Sequence, residues 1–275
     1  MAFESVIKTF EGFLLSKLGR ISPLQRYIKT YGWPFLIAWF HRISGIVLVF
    51  YLWLHLYTLN LLLDPDVFDA KMKFFRLFIF VFLEWLLAIP VIYHALNGGR
   101  LILYEFFGHR NEAAIIRWTT GLSAVYVLLM GFMMMMGNQT VSPIFYWLGI
   151  LVFSLSLCGL AVSRIWNSRN SAAWKLQRIS GAFLLIMIPA HLLVMHLQPL
   201  IGHDAGQIIS RLQNVFIKTI NVSMLVAAFY HGSYGLFSMS KDYISSKAVQ
   251  LMLAVPLLII TIWFVWIGIR LMFSV

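Results

Sequence analysis

Along most of this chain the apolar residues come in long unbroken runs, with polar residues gathered between them. A helix that crosses a bilayer needs about 20 consecutive, mostly apolar residues. Seven stretches meet that requirement: 35–62, 76–104, 115–136, 144–166, 176–198, 215–240 and 248–273. The pattern predicts an all-α integral membrane protein with about seven transmembrane helices. Segment 1–34 has a different character, with Phe10, Phe13, Leu14 and Leu18 interleaved with lysines. It is expected to be either an amphipathic lead-in lying at the interface or a partly ordered tail. Lys8, Glu11, Lys17, Arg20, Arg26 and Lys29 spread charge through it, and no small-residue cleavage site follows an apolar core. Insertion is therefore expected to rely on the helices themselves.

Composition sharpens this picture. Hydrophobic residues make up 61% of the chain and charged residues 11%, against roughly 25% charged in a soluble domain. Too few charges remain to cover a water-facing surface, so lipid is the expected solvent. The net charge of +11 forms no single patch, which argues against a nucleic-acid partner. The basic residues flank the apolar runs instead. With the N-terminus inside, 15 Lys and Arg fall on the inner side and 6 on the outer side, the bias expected of a cytoplasmic membrane protein. The outer loop near 64–69 is acidic, with Asp64, Asp66 and Asp69. The lone cysteine, Cys158, has no internal disulfide partner.

An internal repeat organises the chain. Arg42-Ile43-Ser44-Gly45 recurs as Arg178-Ile179-Ser180-Gly181. Thirteen residues beyond each arginine stands a histidine, His55 and His191. The next helix of each half carries another histidine with glycine four residues on, His94 with Gly98 and His231 with Gly235. Eleven residues beyond each comes an acid, Glu105 and Asp242. So many matches at a nearly constant offset argue for duplication. Three helices that start inside end outside, so a second copy in the same orientation needs a return crossing. The span at 144–166, which has no histidine, supplies it. The expected organisation is an interfacial segment 1–34, a first three-helix repeat 35–136, a return helix with its loops 137–170, and a second three-helix repeat 171–275, the repeats being parallel.

Ionisable side chains inside a bilayer are functional candidates by default. The steps from Arg42 to His55 and from Arg178 to His191 are each about 20 Å, and those from His94 to Glu105 and His231 to Asp242 about 16 Å. His55 and His191 should share one level, and His94 and His231 a second, nearer the inner face. Each level then offers one imidazole from each half, a geometry for two stacked bis-histidine haems in a helical bundle. Closing both axial positions leaves the iron to electron transfer. Gly45, Gly98, Gly99, Gly181, Gly232 and Gly235 could admit a macrocycle or serve ordinary helix packing. Arg42, Arg100, Arg178 and Lys175 are candidates for haem propionates or for positive-inside anchoring. His41 could meet a propionate or a quinone. His196 should face elsewhere, and His109 and His203 fall in loops expected to be solvated. Glu84 could carry protons or snorkel outward. Met133 to Met136 would circle a helix as filler.

These residues resemble the membrane-anchor cytochrome b of succinate dehydrogenases and fumarate reductases. The resemblance is carried by Trp39-Phe40-His41-Arg42-Ile43-Ser44-Gly45 and Ile92-Tyr93-His94-Ala95-Leu96-Asn97-Gly98 in the first half. In the second half it is carried by Leu176-Gln177-Arg178-Ile179-Ser180-Gly181 and His231-Gly232-Ser233-Tyr234-Gly235-Leu236, followed by Asp242-Tyr243. It implies a fused pair of anchor subunits with haem b (heme b) as cofactor. His94 and His231 match the ligands of the one-haem form. His55 and His191 complete the four-histidine set of the two-haem form, so two haems are expected and one is the alternative. Arg42, Asp242 and Tyr243 match the quinone site, and Ser44 and Ser180 belong to the matched motifs. Ala38 stands where that site has a serine. The resemblance further implies a flavoprotein and an iron–sulfur protein on the inner face, with a higher oligomer of the complex compatible with it. This chain has no glycine-rich dinucleotide loop and one cysteine, so flavin and clusters belong to those partners. A dihaem cytochrome b of a hydrogenase or formate dehydrogenase, and a haem-free parallel-repeat transporter using the histidines as a proton relay, are the alternatives.

Overall fold

A computed structural model describes residues 13, 22–108, 115–117, 119–121, 123, 124, 126, 127, 143–196 and 203–275. The described residues form helices and connections, with no strand among them. Helix α1 runs Ser22–Leu59 and passes through a 3-10 turn, Asn60–Leu63, into α2, Pro65–Phe75. Then come α3 (Phe78–Phe107), α4 (Pro143–Ile165), α5 (Ala172–His196), α6 (Ala205–Leu212), α7 (Val215–Tyr243) and α8 (Lys247–Ser274). Among the described residues, six segments are long and apolar enough to cross a membrane: Pro34–Leu63, Phe78–Glu105, Trp147–Ile165, Ala172–Met195, Val215–Tyr243 and Lys247–Ser274. The chain is a multi-pass helical membrane protein. The span expected over 115–136 lies mostly outside the described residues, as do His109 and Met133 to Met136; its described positions are helical. The boundary expected at residue 34 falls within one helix, because α1 is continuous from Ser22 through Pro34. Apart from Phe13, the lead-in before residue 22 lies outside the described residues.

Four helices make the centre. α1 packs along α3 and α7, and α5 packs along the same two. They form a ring in which α1 faces α5 across one diagonal and α3 faces α7 across the other. α4 runs antiparallel against the outside of α5. Its register is set by Ser154 Oγ donating to the Phe183 carbonyl at 2.7 Å and Lys175 Nζ donating to the Trp166 carbonyl at 2.6 Å. α8 covers α7 and presents Leu251, Met252, Leu258, Ile259 and Ile262 outward. A bilayer has no water to satisfy a stray backbone group, so helices whose own ladders are complete can afford such apolar outer faces.

Two short helices that the hydropathy pattern does not reveal also repeat. Asp64 caps α2 by accepting from Val67 N, and Asp204 caps α6 by accepting from Gln207 N at 2.8 Å. Carboxylates at these positions satisfy the otherwise unpaired first-turn N–H groups. α2 and α6 pack together through Phe68, Met72 and Ala205. Asp69 Oδ1 accepts from Ala205 N at 2.9 Å, and Arg76 donates to the His203 carbonyl at 3.2 Å. Together they cover the end of the bundle where α1 ends and α3 begins.

At the opposite end the halves exchange ion pairs. Arg178 grips Glu105 through two parallel bonds of 2.8 and 2.7 Å. Arg42 donates to Asp242 at 2.7 Å and to the Tyr243 hydroxyl. Each arginine of one half thus meets the acid of the other, the reciprocal arrangement of a two-fold interface. The tyrosine before each inner histidine follows the same rule within its own half. Tyr93 donates to the Ile37 carbonyl and Tyr230 to the Ala173 carbonyl. Arg178 and Glu105 are each somewhat under one-third exposed, so screening by solvent limits their coupling to about 1 kcal/mol or less. In a double-mutant cycle on thermal unfolding in detergent, Glu105→Gln and Arg178→Gln should each destabilise, and the pair together should cost less than the sum.

Candidate functional site: two pairs of facing histidines

The four repeated histidines sit on the four ring-forming helices and meet across its diagonals. His94 on α3 faces His231 on α7, with ring centres 6.3 Å apart and planes at 89°. His55 on α1 faces His191 on α5, with ring centres 6.4 Å apart and planes at 84°. The two pairs therefore share one geometry. Ser44 marks the level of His94 on α1 and lies eleven residues before His55; Ser180 lies eleven before His191. That separation places the two levels about 16 Å apart along the helices.

The repeated tetrapeptide explains how the inner pair is aimed. His94 Nδ1 lies 3.1 Å from the His41 carbonyl and 3.2 Å from Ser44 Oγ. His231 Nδ1 lies 3.2 Å from the Gln177 carbonyl and 3.4 Å from Ser180 Oγ. Each serine hydroxyl donates to that same carbonyl, at 2.9 and 3.1 Å. A carbonyl can only accept, so Nδ1 must carry the proton. The lone pair is then on Nε2, the arrangement that prepares an imidazole to bind a metal. The glycine makes room for the ring. A Cβ built on Gly45 would stand 3.0 Å from His94 Cε1, and one on Gly181 would stand 3.0 Å from His231 Cε1. Arginine, serine and glycine thus act on three different partners: the acid of the other half, the histidine nitrogen and the histidine ring edge. In the outer pair, Tyr51 stacks on His55, its hydroxyl 3.4 Å from Nδ1.

The residues around the inner pair fit a haem. A metal–imidazole bond is about 2.0 Å and the ring centre lies a further ~1.1 Å away, so two axial imidazoles on one iron have centres about 6 Å apart. Both observed spacings agree with that value. Polar groups with unused capacity surround the inner pair. His41 Nδ1, Asn97 Nδ2 and Gln177 Oε1 are buried without a hydrogen-bond partner among the described residues. Buried polar atoms left unpaired are costly; a carboxylate of a bound group could accept from Asn97 Nδ2 and from His41 Nδ1 when that nitrogen carries the proton, whereas Gln177 Oε1 would need a donor. Of the four cations expected there, Arg100 is the one inside: it is 6% exposed and its Nε donates to Asn97. Arg42 directs donors at Asp242 and Tyr243, Arg178 at Glu105, and Lys175 at the Trp166 carbonyl. His41 stacks flat on His94, ring centres 4.0 Å apart.

Arg42, Asp242 and Tyr243 form one exposed cluster, with Trp39 packed against Tyr243 at 5.9 Å. The corresponding corner of the other half has Arg178 and Glu105 followed by Phe106, which has no hydroxyl. One residue departs from expectation. His203 is not solvated: its side chain is only 12% exposed and its Nε2 lies 3.9 Å from Glu84 Oε1. The helix cap at Asp204 and the Arg76 bond fold this loop inward, which hydropathy alone could not reveal. The side chain of His196 lies outside the described residues.

The glycine contacts predict a graded result. Gly45→Leu and Gly181→Leu should displace an inner histidine ring and lower pigment content, whereas Gly159→Leu, with nothing within 4 Å of its Cβ position, should leave it unchanged. An absorption spectrum normalised to protein reads this directly.

Comparison with known proteins agrees with the geometry. The model of the succinate dehydrogenase/fumarate reductase transmembrane subunit matches residues 20–135 and 160–250, leaving most of α4 between the two matched parts. The membrane subunit SdhC of succinate dehydrogenase 2 from Mycobacterium tuberculosis is 34% identical over 116 residues, 41% of this chain and 81% of that one. No solved structure matches. A match over both halves, on either side of most of α4, leaves one conclusion: this chain belongs to the family of succinate dehydrogenase/fumarate reductase transmembrane subunits.

Proposed function

We propose that this chain is the membrane-anchor cytochrome b subunit of a succinate:quinone oxidoreductase, with two b-type haems held by His94 with His231 and by His55 with His191. The carrying observation is that both ring pairs have the centre spacing of two axial ligands on one metal and the same near-perpendicular planes. Bound there, the haems would supply one-electron transfer between an iron–sulfur partner and membrane quinone. The chain's own contribution is to fix the protonated nitrogen of His94 and His231 through the His41 and Gln177 carbonyls, and to offer Arg100, Asn97 and His41 to haem carboxylates. Ser44 and Ser180 hold those same nitrogens from the second side.

Quinone would bind beside Arg42, Asp242 and Tyr243, where a guanidinium and a phenol hydroxyl can donate to a carbonyl oxygen. The flavoprotein and iron–sulfur partners would dock at this end, and the bias of basic residues toward it supports the cytoplasmic side of a bacterial-type cytoplasmic membrane, with the N-terminus inside. The chain is not catalytic alone in this reading; oxidation of succinate belongs to the flavoprotein.

The purified complex should contain two low-spin b haems per chain. His94→Ala and His231→Ala should lose one haem, and His55→Ala and His191→Ala the other. A ratio of one with His55→Ala unaffected would reduce the reading to the one-haem form, and a colourless complex would remove it.

A further inference from the structure

The inner level has Arg100 to meet acidic groups, and no counterpart for the outer level is evident from the repeat. The structure offers one in Arg211, near the C-terminal end of α6. A cation favours a helix C-terminus even when it points into water, so position alone explains an exposed arginine there. This one turns inward. Its Nη2 lies 3.0 Å from Met195 Sδ, and its Nη1 is buried with no hydrogen-bond partner among the described residues. Burial also pulls its pKa below the ordinary arginine value. A buried charged donor left unpaired costs several times what an ordinary hydrogen bond returns.

The location narrows what would repay that cost. Met195 stands four residues beyond His191 on α5, on the same face and about 6 Å further toward the outer end. The guanidinium therefore sits one turn outward of the outer histidine pair. The carboxylates of the covering helices point to other groups. Asp204 caps the opposite end of α6 through Gln207 N, and Asp69 holds Ala205 N. At the opposite end of α6, His203 Nδ1 is likewise buried without a partner among the described residues, while its Nε2 faces Glu84. The covering loop and helix thus hold two unused polar atoms, of which Arg211 Nη1 is the one tied through Met195 to the level of His191.

We propose that Arg211 binds a carboxylate of the prosthetic group held between His55 and His191, anchoring that group from the α6 side. This rests on the two-haem reading above. Arg211 is the residue of choice for such a ligand, since its planar fork matches both oxygens of a carboxylate. The α2–α6 pair then serves as more than a cover. It brings an inward-turned cation to the outer level, whereas Lys218 of α7 and Arg270 of α8 lie over the Phe273 and Trp266 rings, which gives a physical reason for α6 to be docked by Asp69 and Arg76.

The test is a redox titration of the full complex. The outer component is identified as the one absent from His55→Ala. In Arg211→Gln its midpoint potential should fall, because a nearby positive charge that favours the reduced state has been removed, while the inner component stays in place. Arg211→Lys should restore most of the shift. If Arg211→Gln fails to retain the outer haem, Arg211→Lys decides: retention with a displaced potential supports the assignment, and loss in both variants overturns it. An unchanged outer potential in an Arg211→Gln complex that still carries two haems would overturn the carboxylate contact while leaving the two-haem reading intact. A wild-type complex with one haem would overturn both.

Discussion

A hydrogen bond from an imidazole Nδ1 to a main-chain carbonyl governs the centre of this molecule. Inside a bilayer an unpaired polar nitrogen has no water to turn to, so each inner histidine must find an acceptor on a neighbouring helix. The His41 and Gln177 carbonyls supply it. Ordinarily those carbonyls are committed to the helix ladder, and the serine three residues on shares them as well. Once the proton is fixed on that side, the opposite nitrogen has one direction left, toward the histidine of the other half. The repeated Arg-Ile-Ser-Gly motif, the choice of histidine and the diagonal geometry all follow from this constraint.

The two halves behave as partners in an interface that happens to be covalently joined. Ion pairs run from the first arginine to the last acid and from the second arginine to the first acid. The histidine pairs are likewise shared, one ring from each half. Symmetry is broken where function would need it broken. His41 is matched by Gln177, and Tyr243 by Phe106. One corner therefore carries a phenol hydroxyl beside its arginine, and the other has its arginine closed by a two-bond grip on glutamate.

Much of this was legible from residue order. Span positions came from the length of apolar runs, because a bilayer imposes that length regardless of tertiary detail. The levels of the histidines came from constant offsets along rigid helices, and the structure does bring His94 to His231 and His55 to His191. What could not be read was lateral. No offset tells that Arg178 reaches Glu105 rather than a bound group, or that the acidic loop residue Asp69 reaches Ala205, 136 positions away. The short helices α2 and α6 are too brief to leave a hydropathy signal; Asp64 before Pro65, an N-cap before a first-turn proline, marks the start of α2 in residue order. Hydropathy alone leaves His203 in a solvated loop; docked α6 turns that loop inward and leaves the side chain 12% exposed.

The diagonal placement of the rings has a consequence for synthesis. As the polypeptide leaves the ribosome, His55 and His94 enter the bilayer long before His191 and His231 exist, and neither early ring faces the other. Whatever the rings grip can be held only when the final third of the chain has been threaded into the membrane. Loading would therefore wait on insertion of His231, and a product truncated before that residue would stay empty.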